Sequence, residues 1–176
     1  MIARADHDAP YWCEENVWHL CADPRVRDGV AEVAVVTNAD RRVALLHQRA
    51  SPRPDGLVVW DYHVLLCSQT DEGWLAWDLD TTLGWPLAAG DYLARTFPPA
   101  LDPSWQPSFR IVVRDAYVRD FASDRSHMRG PDGAWLQPPP PWPAIGRGHS
   151  LPRLLDLADA SAGPWLDLGA VCRRWT

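Results

Sequence analysis

The sequence predicts an α+β fold in which a mostly antiparallel sheet of about five strands is flanked by helices. Two segments have the alternating pattern of β-hairpins, residues 109–113 form a further strand pattern, and a helical pattern that begins at Cys13 has to pack against the sheet. With 176 residues, of which 47% are hydrophobic, the chain can bury one sizeable core. We therefore expect a single domain over residues 1–176.

The first predicted element is a helix that begins at Cys13. Apolar residues follow the spacing of one helical face, acids occupy the first turn, where the helix dipole favours them, and a proline ends the pattern: Val17, Leu20 and Cys21, then Glu14 and Glu15, then Pro24. Unpaired N–H groups at a helix start favour a thiolate, although the two glutamates oppose this effect. Cys13 therefore needs a positively charged partner, for which His63 is the candidate.

The next predicted element is a hairpin. Glu32–Thr37 and Val43–His47 are strand patterns, and Asn38-Ala39-Asp40 forms a polar turn between them. We expect these two strands to pair with each other.

A second hairpin is predicted from Val58 to Leu79. Its first strand alternates between Trp60, Tyr62, Val64 and Leu66 on one side and Asp61, His63, Leu65 and Cys67 on the other, and after a turn around Ser68–Gly73 the apolar side continues at Leu75, Trp77 and Leu79. If Cys67 is opposite Trp74, the same register places His63 opposite Asp78, with Cβ atoms about 5 Å apart. Asp78 would then orient the imidazole and stabilise its cation, which leaves the second ring nitrogen for Cys13. Asp80 could replace Asp78 only if the register were shifted by two residues.

The remaining elements are a strand, two short helices and two irregular segments. They are predicted at Phe109–Val113, Asp115–Phe121 and Ser150–Leu157, with a polar loop at Ser123–His127 and a proline- and glycine-rich surface segment at Gly130–Gly148. Ser150 is the expected N-cap of the last helix, with Pro152 in its first turn. The proline run at 138–143 has two interpretations, a rigid connector or an extended ligand for another protein.

Cys13, His63 and Asp78 together supply a nucleophile, a base and a group that orients the base. A single cysteine is more often buried and inert, and we apply that interpretation to Cys21, Cys67 and Cys172, which lie inside apolar patterns. Taken singly, His63 and Asp78 have structural interpretations too. Only their combination with Cys13 favours a thiol-nucleophile site.

Composition excludes several other kinds of site. All 17 basic residues are arginines, which excludes a Schiff-base lysine and a phosphate-binding lysine, and the net charge of −6 argues against a nucleic-acid surface. The cysteines have no CxxC spacing and the six histidines no HxxxH spacing, so we expect no metal and no cofactor. The N-terminus lacks an apolar signal core, and no run approaches the ~18 apolar residues of a membrane span. A reduced cytoplasmic protein without a membrane partner is the expectation.

Five sequence blocks resemble the protein N-terminal glutamine amidohydrolase family and occur in that family's order. They are Trp12–Trp18, Val59–Val64, Asp78–Thr81, Phe121–Met128 and Pro138–Pro141, and the resemblance extends from about residue 11 to Gly169–Val171. It implies a single catalytic domain that deamidates an N-terminal glutamine of a protein or peptide to glutamate, as a step of the N-degron pathway. The family's catalytic positions fall on Cys13, His63 and Asp78. The order of these residues also resembles the core of papain-like and transglutaminase-like folds.

The mechanism expected from this resemblance is thiolate attack by Cys13 on the glutamine carboxamide, followed by hydrolysis of a thioester with His63 as acid and then base. The Cys13 N–H is a candidate oxyanion donor. A free substrate amine needs an acidic or carbonyl-lined end to the pocket, and the candidate substrate-binding residues are Glu14, Glu15, Trp60, Asp61 and Asp124. Trp12, Trp60 and Trp77 are expected to line the substrate slot. The partners would be proteins or peptides with a free N-terminal glutamine, bound by a monomer.

Three alternatives use the same residues differently. A transglutaminase-like crosslinker or thiol protease would accept internal glutamines or cleave peptide bonds. A secreted bacterial deamidase would act on one folded target. A module that binds N-terminal residues without turnover would not need Cys13.

Overall fold

The computed structural model describes residues 2–26, 29–97, 102–159 and 161–176. Its elements are, in order, α1 (Cys13–Ala22), β1 (Ala31–Thr37), β2 (Val43–Leu45), β3 (Val58–Trp60), β4 (His63–Thr70), β5 (Gly73–Trp77), β6 (Leu87–Ala88), α2 (Ala89–Thr96), β7 (Ser108–Val113), α3 (Arg114–Asp120), α4 (Leu151–Leu154), β8 (Trp165–Asp167) and α5 (Leu168–Trp175). None of the helices in these ranges combines the length and the apolar character needed to cross a membrane.

The main sheet has six strands in the order β6-β5-β4-β1-β7-β8, and each neighbouring pair is antiparallel. Strands β2 and β3 form a separate two-stranded sheet. The predicted α+β class with a mostly antiparallel sheet is therefore confirmed, with one strand more than the sequence indicated.

Helices cover both faces of the main sheet. Strand β1 is buried along its whole length, and alternate residues point to opposite faces. Val33 and Val35 join the core that contains residues of α1 and α3, whereas Ala34 and Val36 join the core that contains residues of α2 and α5. The continuous apolar run of β1 is thus the pattern of a central strand.

The hairpin predicted between Glu32 and His47 is wrong. Strand β1 pairs with β4 and β7, and β2 pairs with β3. The side chain of Asn38 turns the chain out of the main sheet because its amide donates to the carbonyls of Arg42, Ser104 and Gln106. A strand that is apolar on both faces is more stable between two partners than at an edge, which explains why β1 does not end in a simple hairpin.

The single strand predicted over Val58–Cys67 is also wrong, because the chain leaves one sheet and joins the other at Asp61. The Thr37 hydroxyl donates to the Asp61 carbonyl at 2.6 Å, and the Asp61 carboxylate accepts the Tyr62 N–H at 3.0 Å. The β4–β5 register places Leu66 opposite Trp77, which is a shift of two residues from the predicted register. If the ladder continued, His63 would face Asp80, but β5 ends at Trp77.

Other predictions are confirmed or shortened. The helix at Cys13, the strand before Val113 and the helix after it are present, and residues 130–148 have no helix or strand. The last predicted helix is reduced to α4, which ends at Leu154 instead of Leu157. The Ser150 hydroxyl does not cap it but bonds the backbone N–H and carbonyl of Ala122. The sequence analysis did not anticipate four elements, β6, α2, β8 and α5.

Candidate active site

A cavity of about 390 Å³ opens between the start of α1, the β3–β4 connection and the segment that follows β5. Cys13, His63 and Asp78 all line this cavity, so the fold brings together the three residues that the sequence analysis singled out. Each lies at the end of an element: Cys13 is the first residue of α1, His63 is the first of β4, and Asp78 follows the last of β5. The cavity wall is therefore built from element ends that a rigid sheet and helix hold in place.

Asp78 accepts a hydrogen bond from His63 Nε2 to its Oδ1 at 2.8 Å, and both side chains are buried. The predicted hydrogen bond is confirmed, although the register that predicted it is not. Because β5 has ended, the chain after Trp77 folds so that the Asp80 N–H also donates to Asp78 Oδ1, at 2.9 Å. In this turn the side chain of Asp78, and not that of Asp80, bonds the imidazole.

Two further donors complete the surroundings of the Asp78 carboxylate. Gln48 Nε2 donates to Oδ2 at 3.2 Å, and the Tyr92 hydroxyl donates to the same oxygen at 2.9 Å. Burial opposes ionisation, but the charge and hydrogen bond of His63 and the other donors lower the pKa of Asp78 to about 2. The carboxylate is therefore ionised at neutral pH. Neither Gln48 nor Tyr92 was identified from the sequence, because each lies far along the chain in no local pattern with Asp78.

The imidazole of His63 is held by Trp60 as well as by Asp78. The two rings stack with centroids 5.8 Å apart and an interplanar angle of 20°. Trp60 Nε1 donates to Gln48 Oε1 at 3.2 Å, so Gln48 links the ring that stacks on His63 to the carboxylate that bonds it. Burial alone would lower the pKa of His63, but the charge and hydrogen bond of Asp78 raise it above the ordinary value.

Cys13 is positioned by two contacts at the beginning of α1. The Asn16 side chain accepts the Ala9 N–H at 3.0 Å and donates to the Ala9 carbonyl at 2.8 Å, which fixes the chain as it enters the helix. Trp12 is fully buried and donates from Nε1 to the Pro138 carbonyl at 2.8 Å. The proline run thus contacts Trp12, the residue before Cys13, and neither interpretation of the run included this contact.

The electrostatics of Cys13 differ from the expectation for a helix start. Burial raises the pKa of the Cys13 thiol well above its ordinary value, and the negative charge of Glu14 raises it further, whereas a hydrogen bond from the Val64 backbone N–H lowers it. Burial and the neighbouring carboxylate outweigh the helix start. These contributions favour the neutral thiol, from which a base would have to remove the proton to form the thiolate.

Glu14 lies beside Cys13 and does not line the cavity. Its side chain is fully buried, and its Oε2 is 3.6 Å from Cys13 Sγ and accepts the Tyr62 hydroxyl at 3.0 Å. Its Oε1 lies 3.2 Å from His127 Nε2. These contacts direct the carboxylate toward the sulfur, away from the space open to a substrate.

Glu15 is engaged in a buried ion pair. Its carboxylate accepts two hydrogen bonds from Arg125, at 2.9 and 2.7 Å, and one from Trp142 Nε1 at 3.0 Å. It does not line the cavity. The structure therefore places Glu15 as the anchor that ties α1 to the 125–142 segment.

Of the candidate substrate-binding residues, Trp60 and Asp61 line the cavity, and Glu14, Glu15 and Asp124 do not. Asp124 is exposed and accepts the Ser126 N–H at 2.9 Å. Trp12 and Trp77, which were expected to line the substrate slot, also lie outside the cavity wall: Trp77 packs edge-on against Trp85 and donates to the Ser68 hydroxyl.

Asp80 lines the cavity and was not among the candidates. Its Oδ2 is buried and has no hydrogen-bond partner among the residues that the structure describes, and Arg49 Nε lies 3.8 Å from its Oδ1. Burial, together with the charge of Asp78, raises the pKa of Asp80 to about 6. Within the described ranges, no group of three or more His, Cys, Asp or Glu side chains is arranged to hold a metal ion.

Comparison with known proteins gives a consistent match. Residues 8–174 match a family model described as N-terminal glutamine amidase. The chain is 40% identical over 183 residues to the protein N-terminal glutamine amidohydrolase of Arabidopsis thaliana, which covers 95% of this chain and 82% of that relative. It is also 40% identical to the proteins of the same name from Drosophila pseudoobscura pseudoobscura and Drosophila ananassae, with 86% of this chain and 78% of each relative covered.

Proposed function

Because this chain belongs to the N-terminal glutamine amidase family, we propose that it hydrolyses the side-chain amide of an N-terminal glutamine in proteins or peptides, giving glutamate and ammonia. The observation that supports this most strongly is the buried His63–Asp78 pair, joined at 2.8 Å, on the same cavity as the Cys13 thiol. A nucleophile, a base and a group that orients the base are what amide hydrolysis through a thiol requires.

The reaction begins with a neutral thiol and a neutral imidazole. Since Nε2 of His63 is bonded to Asp78, Nδ1 is the nitrogen that takes the Cys13 proton as the sulfur attacks the carboxamide carbon. The imidazolium then returns this proton to the departing nitrogen, which leaves as ammonia. The resulting thioester is hydrolysed when His63 removes a proton from water and passes it to the leaving thiolate. The Cys13 N–H at the start of α1 is the proposed oxyanion donor.

Asp61 and Trp60 are the proposed contacts for the substrate's N-terminal residue. Both line the cavity, and Asp61 is exposed, with one carboxylate oxygen engaged by the Tyr62 N–H. A carboxylate at the opening suits the cationic amine of a free N-terminus, and the Trp60 ring provides an apolar wall for the glutamine methylenes. Glu14, Glu15 and Asp124 are no longer proposed for this role, since they lie off the cavity wall.

Other features of the protein stay predictions. They are the monomeric state, cytoplasmic location, a place in the N-degron pathway, the papain- or transglutaminase-like core, and the absence of a cofactor and of nucleic-acid or membrane partners. An enzyme of this kind would convert an uncharged N-terminal side chain to a charged one, which changes how any receptor for N-terminal residues binds the product.

Mass spectrometry of a matched peptide set tests the proposed function. A peptide that begins with glutamine should gain about one mass unit and release one ammonia, because an amide is replaced by an acid. Peptides of the same composition with internal glutamine, N-terminal asparagine or acetylated glutamine should be largely unchanged.

The nucleophile is tested with two cysteine variants. Cys13→Ser should lower turnover by several orders of magnitude, whereas Cys172→Ser, which changes the other half-buried thiol, should retain it.

The peptide set also separates the alternative functions. Equal rates on internal and N-terminal glutamine would support a crosslinker or effector, and binding without turnover would support a recognition module.

A further inference from the structure

The carboxylate of Glu14 is the charged group in direct contact with the proposed nucleophile. The distance from Cys13 Sγ to Glu14 Oε2 is 3.6 Å, which is within the range of a hydrogen bond to sulfur. Because an ionised carboxylate can only accept, the proton in this contact has to come from the thiol. The contact therefore exists only while Cys13 is protonated.

Solvent reaches this contact only from the side of the thiol. The Glu14 side chain is fully buried, and the half-buried Cys13 thiol lies beside it at the beginning of α1. A negative charge on the buried side of a thiol disfavours the thiolate, since two like charges would then face each other. A carboxylate is an unusual neighbour for a thiol nucleophile, because such thiols are usually activated by a lowered pKa.

Two side chains, Tyr62 and His127, lie against the Glu14 carboxylate on its cavity side. The Tyr62 hydroxyl donates to Oε2 at 3.0 Å, and His127 Nε2 lies 3.2 Å from Oε1 and 3.3 Å from the Tyr62 oxygen. Tyr62 and His127 also line the cavity, whereas Glu14 does not. The Tyr62 hydroxyl thus fixes Oε2 by a hydrogen bond, His127 lies close to Oε1, and the sulfur is the neighbour on the other side.

We propose that Glu14 is a positioning residue for the nucleophile and not for the substrate: its carboxylate holds the Cys13 thiol in the protonated form until His63 removes the proton. The S–H bond then has two acceptors, Glu14 at rest and the imidazole of His63 during attack. Rotation about the Cβ–Sγ bond moves the proton from the first acceptor to the second. The resting sulfur is thereby protected from oxidants and alkylating agents, which react with the thiolate.

Other titratable groups face Cys13 or Glu14 and also affect the protonation of the thiol. They are Asp61, Tyr62, His63, Asp78, Tyr117 and His127. Asp61 and Asp78 act on the sulfur in the same direction as Glu14, and the Val64 N–H acts in the opposite direction. Among these groups Glu14 is the one in contact with the sulfur, so its removal is the direct test.

The experiment measures the rate at which iodoacetamide alkylates Cys13 as a function of pH, with the modified residue identified by peptide mass spectrometry. The midpoint of this profile is the pH at which the alkylation rate is half of its maximum. In the wild-type protein the midpoint should lie above ~8.5, the ordinary pKa of a cysteine. Glu14→Gln keeps the shape and removes the charge, so its midpoint should fall by about one pKa unit or more, which corresponds to about tenfold more thiolate at a given pH.

Two variants serve as controls. Glu72→Gln makes the same substitution at an exposed residue in the β4–β5 turn and should leave the midpoint unchanged. Glu14→Asp retains the charge and should keep the midpoint above that of Glu14→Gln. A Glu14→Gln midpoint equal to that of the wild type would overturn the proposal. If Glu14→Gln did not fold, a wild-type midpoint at or below neutral pH would overturn it alone, and a midpoint above ~8.5 would support it.

The inference rests on the proposed function only in taking Cys13 as the nucleophile. Alkylation needs no turnover, so the two proposals fail separately. If the protein shows the expected alkylation profiles but leaves glutamine peptides unchanged, the proposed function is contradicted and the proposed role of Glu14 is still supported.

Discussion

At the scale of single residues, the orientation of His63 depends on how completely the Asp78 carboxylate is surrounded. Four donors converge on it, from His63, Gln48, Tyr92 and the Asp80 backbone. A carboxylate that accepts several hydrogen bonds stays ionised even when buried, and it cannot rotate without losing them. An ionised carboxylate can only accept, so Nε2 of His63 carries the proton of this hydrogen bond and Nδ1 is the unprotonated nitrogen of the neutral ring.

We predict that kcat/KM falls on the acid side at a pH above 6.5, the ordinary pKa of histidine. The base has to be unprotonated to accept the Cys13 proton, and Asp78 raises the pKa of His63, so the inactive imidazolium persists to a higher pH.

Asp78→Asn should lower kcat by up to about 10⁴, as in other triads, because the amide donates to Nε2 and forces the proton onto Nδ1. The pH profile of the residual activity should shift to lower pH.

Asp80→Asn provides the comparison for this prediction. It preserves the backbone N–H that bonds Asp78, so its effect on kcat should be much smaller. A near-normal rate for Asp78→Asn, or a greater loss for Asp80→Asn, would show that the wrong aspartate had been assigned.

At the scale of secondary-structure elements, α1 is tied to the irregular segment at 125–142 by the Glu15–Arg125 ion pair. Both side chains are buried, and Arg125 also donates to the Trp142 carbonyl at 2.8 Å. The positive φ of 63° at Arg125 lies in the left-handed region, where a residue other than glycine needs tertiary contacts to hold it. The ion pair supplies such contacts and fixes the helix that carries Cys13.

Glu15→Gln should therefore act on stability. Removing one partner leaves the buried Arg125 charge uncompensated, and the expected loss in the free energy of unfolding is about 3–5 kcal/mol. Urea unfolding followed by circular dichroism measures this loss, with Glu72→Gln as the exposed control. An unchanged free energy of unfolding combined with a raised KM for glutamine peptides would instead support a role of Glu15 in substrate binding.

Elements could be predicted from the sequence where the pattern was local. The helix at Cys13 and strand β7 have a clear apolar period, and each is present. Strand pairing could not be predicted, since the apolar run of β1 indicates a central strand but not its partners, and nothing local shows that the chain passes from the small sheet to the main sheet at Asp61. The His63–Asp78 bond was expected from a register that is off by two, and it forms because β5 ends at Trp77 and the following turn compensates for the shift.

At the scale of the whole molecule, the C-terminal helix closes the side of the sheet opposite α1. Trp175 is almost fully buried, and its Nε1 donates to Glu32 Oε2 at 2.9 Å, beside a hydrogen-bonded ion pair between Arg174 and Glu32. Glu32 belongs to β1, which also pairs with the strand that carries His63. Strand β1 thus links the C-terminal helix to the strand that carries His63.

We predict that activity and tertiary structure are lost at the same urea concentration, as expected for a single catalytic domain over residues 1–176. Trp175→Ala should lower both midpoints together, because it removes a buried indole and costs about 3–5 kcal/mol. Activity and tryptophan fluorescence measure the two transitions. A species that retains activity after the first fluorescence change would reveal a second, independent unit.

The site could be predicted from sequence only in its chemically distinctive part. Cys13, His63 and Asp78 are uncommon as a combination, whereas Gln48, Tyr92 and Asp80 gain significance only from long-range contacts. The expected roles of Glu14 and Glu15 differ from the observed contacts for a related reason. Sequence places them directly after Cys13 but does not reveal which direction each carboxylate faces.

The most direct test uses a peptide whose N-terminal glutamine carries a diazoketone in place of the carboxamide. The thiol that attacks this group displaces dinitrogen and forms a stable thioether, so it is marked permanently. We predict one label per chain, on Cys13, with protection by an ordinary glutamine peptide and no labelling by the N-acetylated reagent. Labelling of any other residue, or equal labelling by the acetylated reagent, would contradict the assignment of Cys13 as the nucleophile for N-terminal glutamine.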